Sequence, residues 1–135
     1  MLILSLNVRG FGGASKILAL KHIFSSVNPD IIFLQETMVG HSKAIEVFNK
    51  LCPSWCCVAV DSEGNSGGLL SGWNTKCGSF EAFQTCFCIL LEGRVTCFSH
   101  SVSVLNYYGP YKDRTSFWLG AKESGFLNAE YFILG

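Results

Sequence analysis

Ser5-Leu6-Asn7-Val8-Arg9-Gly10 and Ile31-Ile32-Phe33-Leu34-Gln35-Glu36-Thr37 decide how this chain folds. Each closes an apolar run on polar residues, an amide at Asn7 in the first and a carboxylate at Glu36 in the second. Nearly continuous apolar runs of this length read as strands buried on both faces. Between them, residues 14–27 carry Ile17, Leu20, Phe24 and Val27 at helical spacing, the stripe of a helix facing a core. Asn28-Pro29 ends that helix, because the residue before a proline avoids the helical region. Strand, helix and strand within the first 36 residues make a βαβ unit, which is expected to be parallel. A parallel pair delivers Asn7 and Glu36 to one sheet edge, an arrangement suited to a metal and a phosphate.

Outward from that unit, residues 42–51 repeat the helical pattern through Ala44, Val47, Phe48 and Leu51, and Pro53 closes it. Short strands are expected over 55–60, 68–73, 80–83, 85–91 and 95–105, with a tight hairpin turning at Glu92-Gly93. A helix begins within 111–120, and residues 131–134 read as a last buried strand. The order predicts a mixed sheet system covered by helices, neither purely doubly wound nor an all-β sandwich.

The chain has 135 residues, of which 49% are apolar and 15% charged, enough for one domain with a real core. Ten basic residues balance ten acidic ones, which disfavours a domain that grips DNA mainly by neutralising phosphates. Local cations at Arg9, Lys16 and Lys112 remain candidates for phosphate contact. The seven cysteines lack zinc-site spacing, and most sit in apolar strands, so a reduced, intracellular thiol set is expected. The apolar start has no basic region before it, and no apolar run reaches the ~18 residues of a membrane helix. Neither a signal peptide, a membrane span nor a lipid anchor is expected.

A carboxylate ending an apolar strand must be solvated, paired or bound to a cation. Glu36 is therefore a candidate ligand for a hard divalent ion, and otherwise a solvated strand-end acid. Asn7 is a candidate to orient that acid or meet a phosphate oxygen, and otherwise a turn asparagine. Gly10 to Ser15 superficially matches a dinucleotide-binding loop, but Ser15 holds the third glycine position and polar Asn7 to Arg9 intervene. The paired glycines of Ser66-Gly67-Gly68-Leu69 either admit a close backbone approach or start a strand with a bulge. Tyr108, in Asn106-Tyr107-Tyr108-Gly109-Pro110, is either a phosphate donor or a rim aromatic. His22, His41 and His100 come with no nucleophile-elbow motif and are expected to be structural.

Taken together and in order, these segments resemble the endonuclease/exonuclease/phosphatase family. The likeness is strongest to the endonuclease domain at the start of plant LINE-type (non-LTR), reverse-transcriptase-associated retrotransposon polyproteins. The residues that carry it are 4–10, Pro29-Asp30 with the Ile31 to Thr37 motif (the most specific), 66–69 and 106–111. The resemblance implies an α/β (α+β) fold, a four-layer sandwich of two packed mixed β-sheets flanked by helices. It also implies Mg²⁺- or Mn²⁺-dependent cleavage of a phosphate ester, with DNA as the substrate. Glu36 corresponds to the metal-ligand glutamate, Asn7 to the active-site asparagine beside the metal, and Tyr108 to the tyrosine at the scissile phosphate.

Family members follow the strand at 131–134 with Gly-Asp-Phe/Leu-Asn and later carry an Asp-His pair, whereas this sequence reaches only Gly135. Tyr111 stands where some relatives have a phosphate-contacting asparagine. The expectation is a single domain over 1–135, the N-terminal portion of the family's sandwich and incomplete at its C-terminus. Its metal would be weakly held, its catalysis impaired, and its uncovered sheet open to self-association. The alternative is a nonenzymatic remnant or interaction module.

Overall fold

The computed structural model describes residues 1–63, 66–109, 114–123, 125 and 132–134. The elements run β1 (Ile3–Asn7), α1 (Ala14–Val27), β2 (Ile31–Gln35), α2 (His41–Leu51), β3 (Trp55–Glu63), β4 (Ser66–Asn74), β5 (Gly78–Gln84), β6 (Cys88–Val95), β7 (Ser101–Tyr107), α3 (Arg114–Glu123) and β8 (Phe132–Leu134). They form two four-stranded sheets, ordered β1-β2-β4-β3 and β5-β6-β7-β8. The β1–β2 and β7–β8 pairs are parallel and the remaining neighbours antiparallel, so both sheets are mixed.

Strand β2 is central and buried along its whole length, which is why its sequence shows no polar alternation. One face of it presents Ile31 and Phe33, which join Leu69 and Trp73 against Ile89, Leu91, Val102 and Val104 of the second sheet. The opposite face presents Ile32 and Leu34 to Leu20 and Phe24 of α1 and to Ala44, Val47 and Phe48 of α2. Cys88, Leu90 and Leu105 lie on the far side of the second sheet with Tyr107, on whose ring Trp118 of α3 packs at 5.4 Å. Helices, sheet, sheet and helix give the four layers.

Several expectations need correction. Strand β1 is only half-buried, because β2 alone flanks it among the described residues. Val27, at the margin of the α1 stripe in its last turn, is exposed. No hairpin turns at Glu92-Gly93, since both residues lie inside β6, paired with Glu81 and Phe80 of β5. Gly93 is needed because a Cβ there would collide with the Ser79 carbonyl of the neighbouring strand. The β5–β6 turn instead occupies residues 85–87, where the Thr85 hydroxyl accepts the Phe87 N–H (3.3 Å) and the Thr85 N–H donates to the Cys88 carbonyl (2.9 Å). The expected strand over 95–105 is divided, its first part forming the 96–100 connection to β7. All seven cysteines are free thiols, and among the described residues no helix is long and apolar enough to cross a membrane. The side chains of β8 lie outside the described residues.

Candidate active site

The parallel register places Asn7 opposite Gln35, so Asn7 and the following Glu36 leave the sheet at the same end. Backbone hydrogen bonds continue past the strands, from Val8 N–H to the Gln35 carbonyl (2.9 Å), Gly10 to Glu36 (2.7 Å) and Phe11 to Thr37 (2.8 Å). On the other side, the Thr37 and Met38 amides donate to the Gly68 and Gly67 carbonyls, both at 3.1 Å. The loops after β1 and β2 and the start of β4 are thus laced into one rim. Arg9, Gly10, Glu36, Met38, Gly67 and Gly68 all adopt left-handed backbone here, and elsewhere in the described chain only Asn28 and Gly125 do so. A left-handed non-glycine residue costs about 1–2 kcal/mol, and such strain concentrates at functional sites.

Gly67 and Gly68 are therefore required by the rim. Their φ values are 80° and 83°, and a Cβ on Gly68 would strike the Thr37 hydroxyl. This close approach is made by the protein's own loop, not by a ligand. The Thr37 hydroxyl is fully buried and has no hydrogen-bond partner among the described residues.

Tyr108 follows β7 in the second sheet and reaches across to the first, its hydroxyl donating to Glu36 Oε1 at 2.5 Å. The Asn7 side chain stands beside the Glu36 carboxylate and helps to keep it ionised, while its Oδ1 accepts the Arg9 N–H (3.3 Å). Arg9 Nε stands 3.9 Å from Oε2, with its side chain 79% exposed against 14% for Glu36. Tyr108 first, then Asn7, then the Arg9 charge hold the Glu36 carboxyl below the ordinary carboxylate range, outweighing the desolvation that pushes it up. The three residues singled out from the sequence meet at one point.

A carboxylate kept ionised and held by a phenol donor can bind a hard cation while amide, phenol and guanidinium meet phosphate oxygens. Tyr108 occupies Oε1, leaving Oε2 facing the exposed Arg9. Among the described residues no group of three His, Cys, Asp or Glu side chains converges. The donor set fits a hydrated Mg²⁺ held at one carboxylate, and does not form a closed protein cage.

Comparison by sequence returns no matching family model and no matching curated protein. Comparison by structure does give matches. The catalytic domain of APE2 from Xenopus laevis superposes with a TM-score of 0.68 at 18% identity, over 99% of this chain and 57% of that one. The endonuclease domain of TRAS1, a telomere-specific non-LTR retrotransposon, gives 0.69 at 12% over 98% and 58%. A humanized TDP2 from D. rerio gives 0.73 at 16% over 99% and 59%. The chain has the endonuclease/exonuclease/phosphatase fold. It spans somewhat over half the length of these solved chains.

Within that fold other expectations change. Lys16 has a structural part as well: its ammonium donates to the Val8 (2.8 Å) and Arg9 (2.7 Å) carbonyls and pins the loop after β1. Lys112 and Tyr111 lie outside the described residues. The dinucleotide-loop reading fails because the Gly10 and Phe11 amides are bonded to the β2 loop and the Phe11 side chain is fully buried. The first sheet is also not doubly wound, since antiparallel β4 flanks β2. His41 belongs to another feature. Its backbone N–H (2.6 Å) and Nδ1 (3.0 Å) both meet Asp61, which caps α2 where Gly40 has no side chain to do so. His100 stacks on Phe98 at 5.7 Å.

Sequence reasoning assigned no role to Gln35 or Asn106, although it quoted both. Gln35 Nε2 donates to Ser5 Oγ (3.0 Å) and to Asn106 Oδ1 (2.8 Å). Asn106 Nδ2 donates to the Leu70 carbonyl (3.0 Å) and to Ser71 Oγ (3.2 Å). The available signal was a polar residue inside each buried strand, since such residues are almost always paired.

Proposed function

We propose that these residues supply the metal-holding part of a DNA-cleaving phosphodiesterase. One observation carries this reading: Glu36, held at a sheet end by Tyr108 from the other sheet, with Asn7 of its own sheet beside it. Glu36 holds Mg²⁺ or Mn²⁺, with Asn7 beside it. The bound ion supplies charge to offset the oxygens of the phosphate and a template for in-line attack by water. Asn7 orients the carboxylate, Tyr108 turns its hydroxyl to a phosphate oxygen, and Arg9 offers a guanidinium for the same group. The solved structures it resembles support DNA as the polymer, one being TDP2 from D. rerio complexed with a single-strand DNA product. Free thiols at all seven cysteines favour a reducing, intracellular setting.

With Glu36 the one acid of the trio, the ion is held weakly and turnover is slow. The test is Mn²⁺ binding read by electron paramagnetic resonance, beside nicking of supercoiled plasmid in Mg²⁺. Millimolar binding and slow nicking, both abolished by Glu36→Gln, are expected. Binding or cleavage that survives Glu36→Gln would overturn the assignment.

A second reading, a noncatalytic module that self-associates, draws on the half-exposed edge strand β1. Sedimentation separates the two, since a clean monomer across micromolar concentrations removes the second.

A further inference from the structure

We propose that Gln35 and Asn106 are the positioning pair of this site, setting the distance and register between Glu36 and Tyr108. The inference rests on the reading above for its functional meaning and on geometry for its substance. Gln35 immediately precedes Glu36, and Asn106 lies two residues before Tyr108, on the same side of the chain by strand alternation. The Gln35–Asn106 bond is fully buried, with Asn106 at 0% exposure and Gln35 at 7%.

Both carboxamides spend their N–H groups completely. Gln35 ties β2 to β1 through Ser5 and to β7 through Asn106. Asn106 ties β7 back to β4 through the Leu70 carbonyl and Ser71, itself fully buried. The layer beneath, with Ile31 and Phe33 against Ile89, Leu91 and Val104, is apolar. Apolar contact has no direction and tolerates small slides of one sheet over the other. The amide pair does not, because a shift would strand buried donors. It lies directly beneath the point where Glu36 of the first sheet and Tyr108 after the second meet within a hydrogen bond. Groups behind a metal ligand act in this way, and their loss weakens metal binding by about 10–100-fold.

The test compares Asn106→Leu with Leu91→Ala, a truncation in the adjacent apolar layer that loosens the core without touching the amides. The primary readout is the Tyr108 hydroxyl proton, observed by NMR as a downfield, slowly exchanging resonance, which requires no catalysis. Asn106→Leu should abolish that resonance and raise the Mn²⁺ dissociation constant about 10-fold, while Leu91→Ala lowers the melting temperature but retains the resonance. Should Asn106→Leu fail to fold, Ser71→Ala removes a single bond of the pair and should broaden the same resonance. Persistence of the resonance in Asn106→Leu, or in Ser71→Ala where that variant replaces it, overturns the proposal. So does its equal loss in Leu91→Ala, which would reduce the pair to general core packing. Wild-type protein that binds no Mn²⁺ but shows the resonance pattern expected would sink the phosphodiesterase reading and leave the positioning role standing.

Discussion

Tyr108→Phe removes one oxygen and tests whether the two sheets are joined at Glu36 by a charge-assisted bond. Its hydroxyl donates to Oε1 at 2.5 Å, and it is the foremost cause of the lowered Glu36 carboxyl. A hydrogen bond to a charged group contributes about 1.5–3 kcal/mol. Glu36 keeps its Asn7 partner, and its 14% exposure admits water to the vacated oxygen, so the low end applies, about 1–2 kcal/mol. For a chain of 135 residues this is a fall of about 4–8 °C in melting temperature at pH 7.

The pH dependence follows from the direction of the shift. Glu36 is depressed in the folded state, so its contribution is present above the ordinary value of 4.5 and is lost as pH falls through the lower folded value. The gap between wild type and Tyr108→Phe should therefore be widest at neutral pH and shrink below pH 4. A remnant persists there, because the hydroxyl still bonds the neutral acid at roughly half strength. Circular-dichroism melts of both proteins from pH 3 to 7 measure it. A gap that is constant across that range, or absent at pH 7, refutes a charge-assisted bond between the sheets at Glu36.

Gly68→Ala forces a side chain onto a residue at φ 83° and into the Thr37 hydroxyl, so a loss of at least about 1–2 kcal/mol and a displaced Glu36 loop are expected. Chemical denaturation together with amide shifts of residues 36–38 checks both, and unaltered stability would contradict the close approach. Asp61→Ala removes the cap on α2. The His41 backbone amide, then its ring, hold the Asp61 carboxyl below its ordinary 3.8, so the wild-type advantage belongs above that pH and vanishes as pH falls through the folded value. A melting difference that instead grows on acidification would contradict the capping role.

The strongest parts of the fold were legible because they are local. Residues 31–35 read as a buried strand since five successive apolar or strand-compatible side chains leave no solvent face, and β2 is buried at every position. Asn7 and Glu36 were legible as partners because a parallel βαβ unit fixes their relative position without further information. The β5–β6 turn was not, because its closure depends on the Thr85 hydroxyl, while the more conventional turn pair Glu92-Gly93 is held in a strand by the approach of β5. The part Lys16 has in the loop was hidden for a similar reason, since only the folded loop shows that two carbonyls accept from its ammonium. The Gln35–Asn106 bond joins residues 71 apart, and no periodicity encodes such a pairing.

The strain at the rim bears on whether its shape is a by-product of folding or something the sequence maintains. Arg9, Glu36 and Met38 are non-glycine residues in the left-handed region, each costing about 1–2 kcal/mol that a glycine would largely avoid. A sequence optimised for stability alone would place glycine there, as this one does at Gly10, Gly67 and Gly68. It keeps side chains at two of the strained positions whose atoms meet, the Glu36 carboxylate and the Arg9 guanidinium. The lacing of Gly10 and Phe11 onto the β2 loop, and of that loop onto Gly67 and Gly68, then offsets the cost through bonds the strands alone would not provide. Met38 meets neither group, so its strain follows from the chain path that Glu36 imposes. The rim is accordingly built around where one carboxylate must stand, and its supports extend into the interior through Gln35.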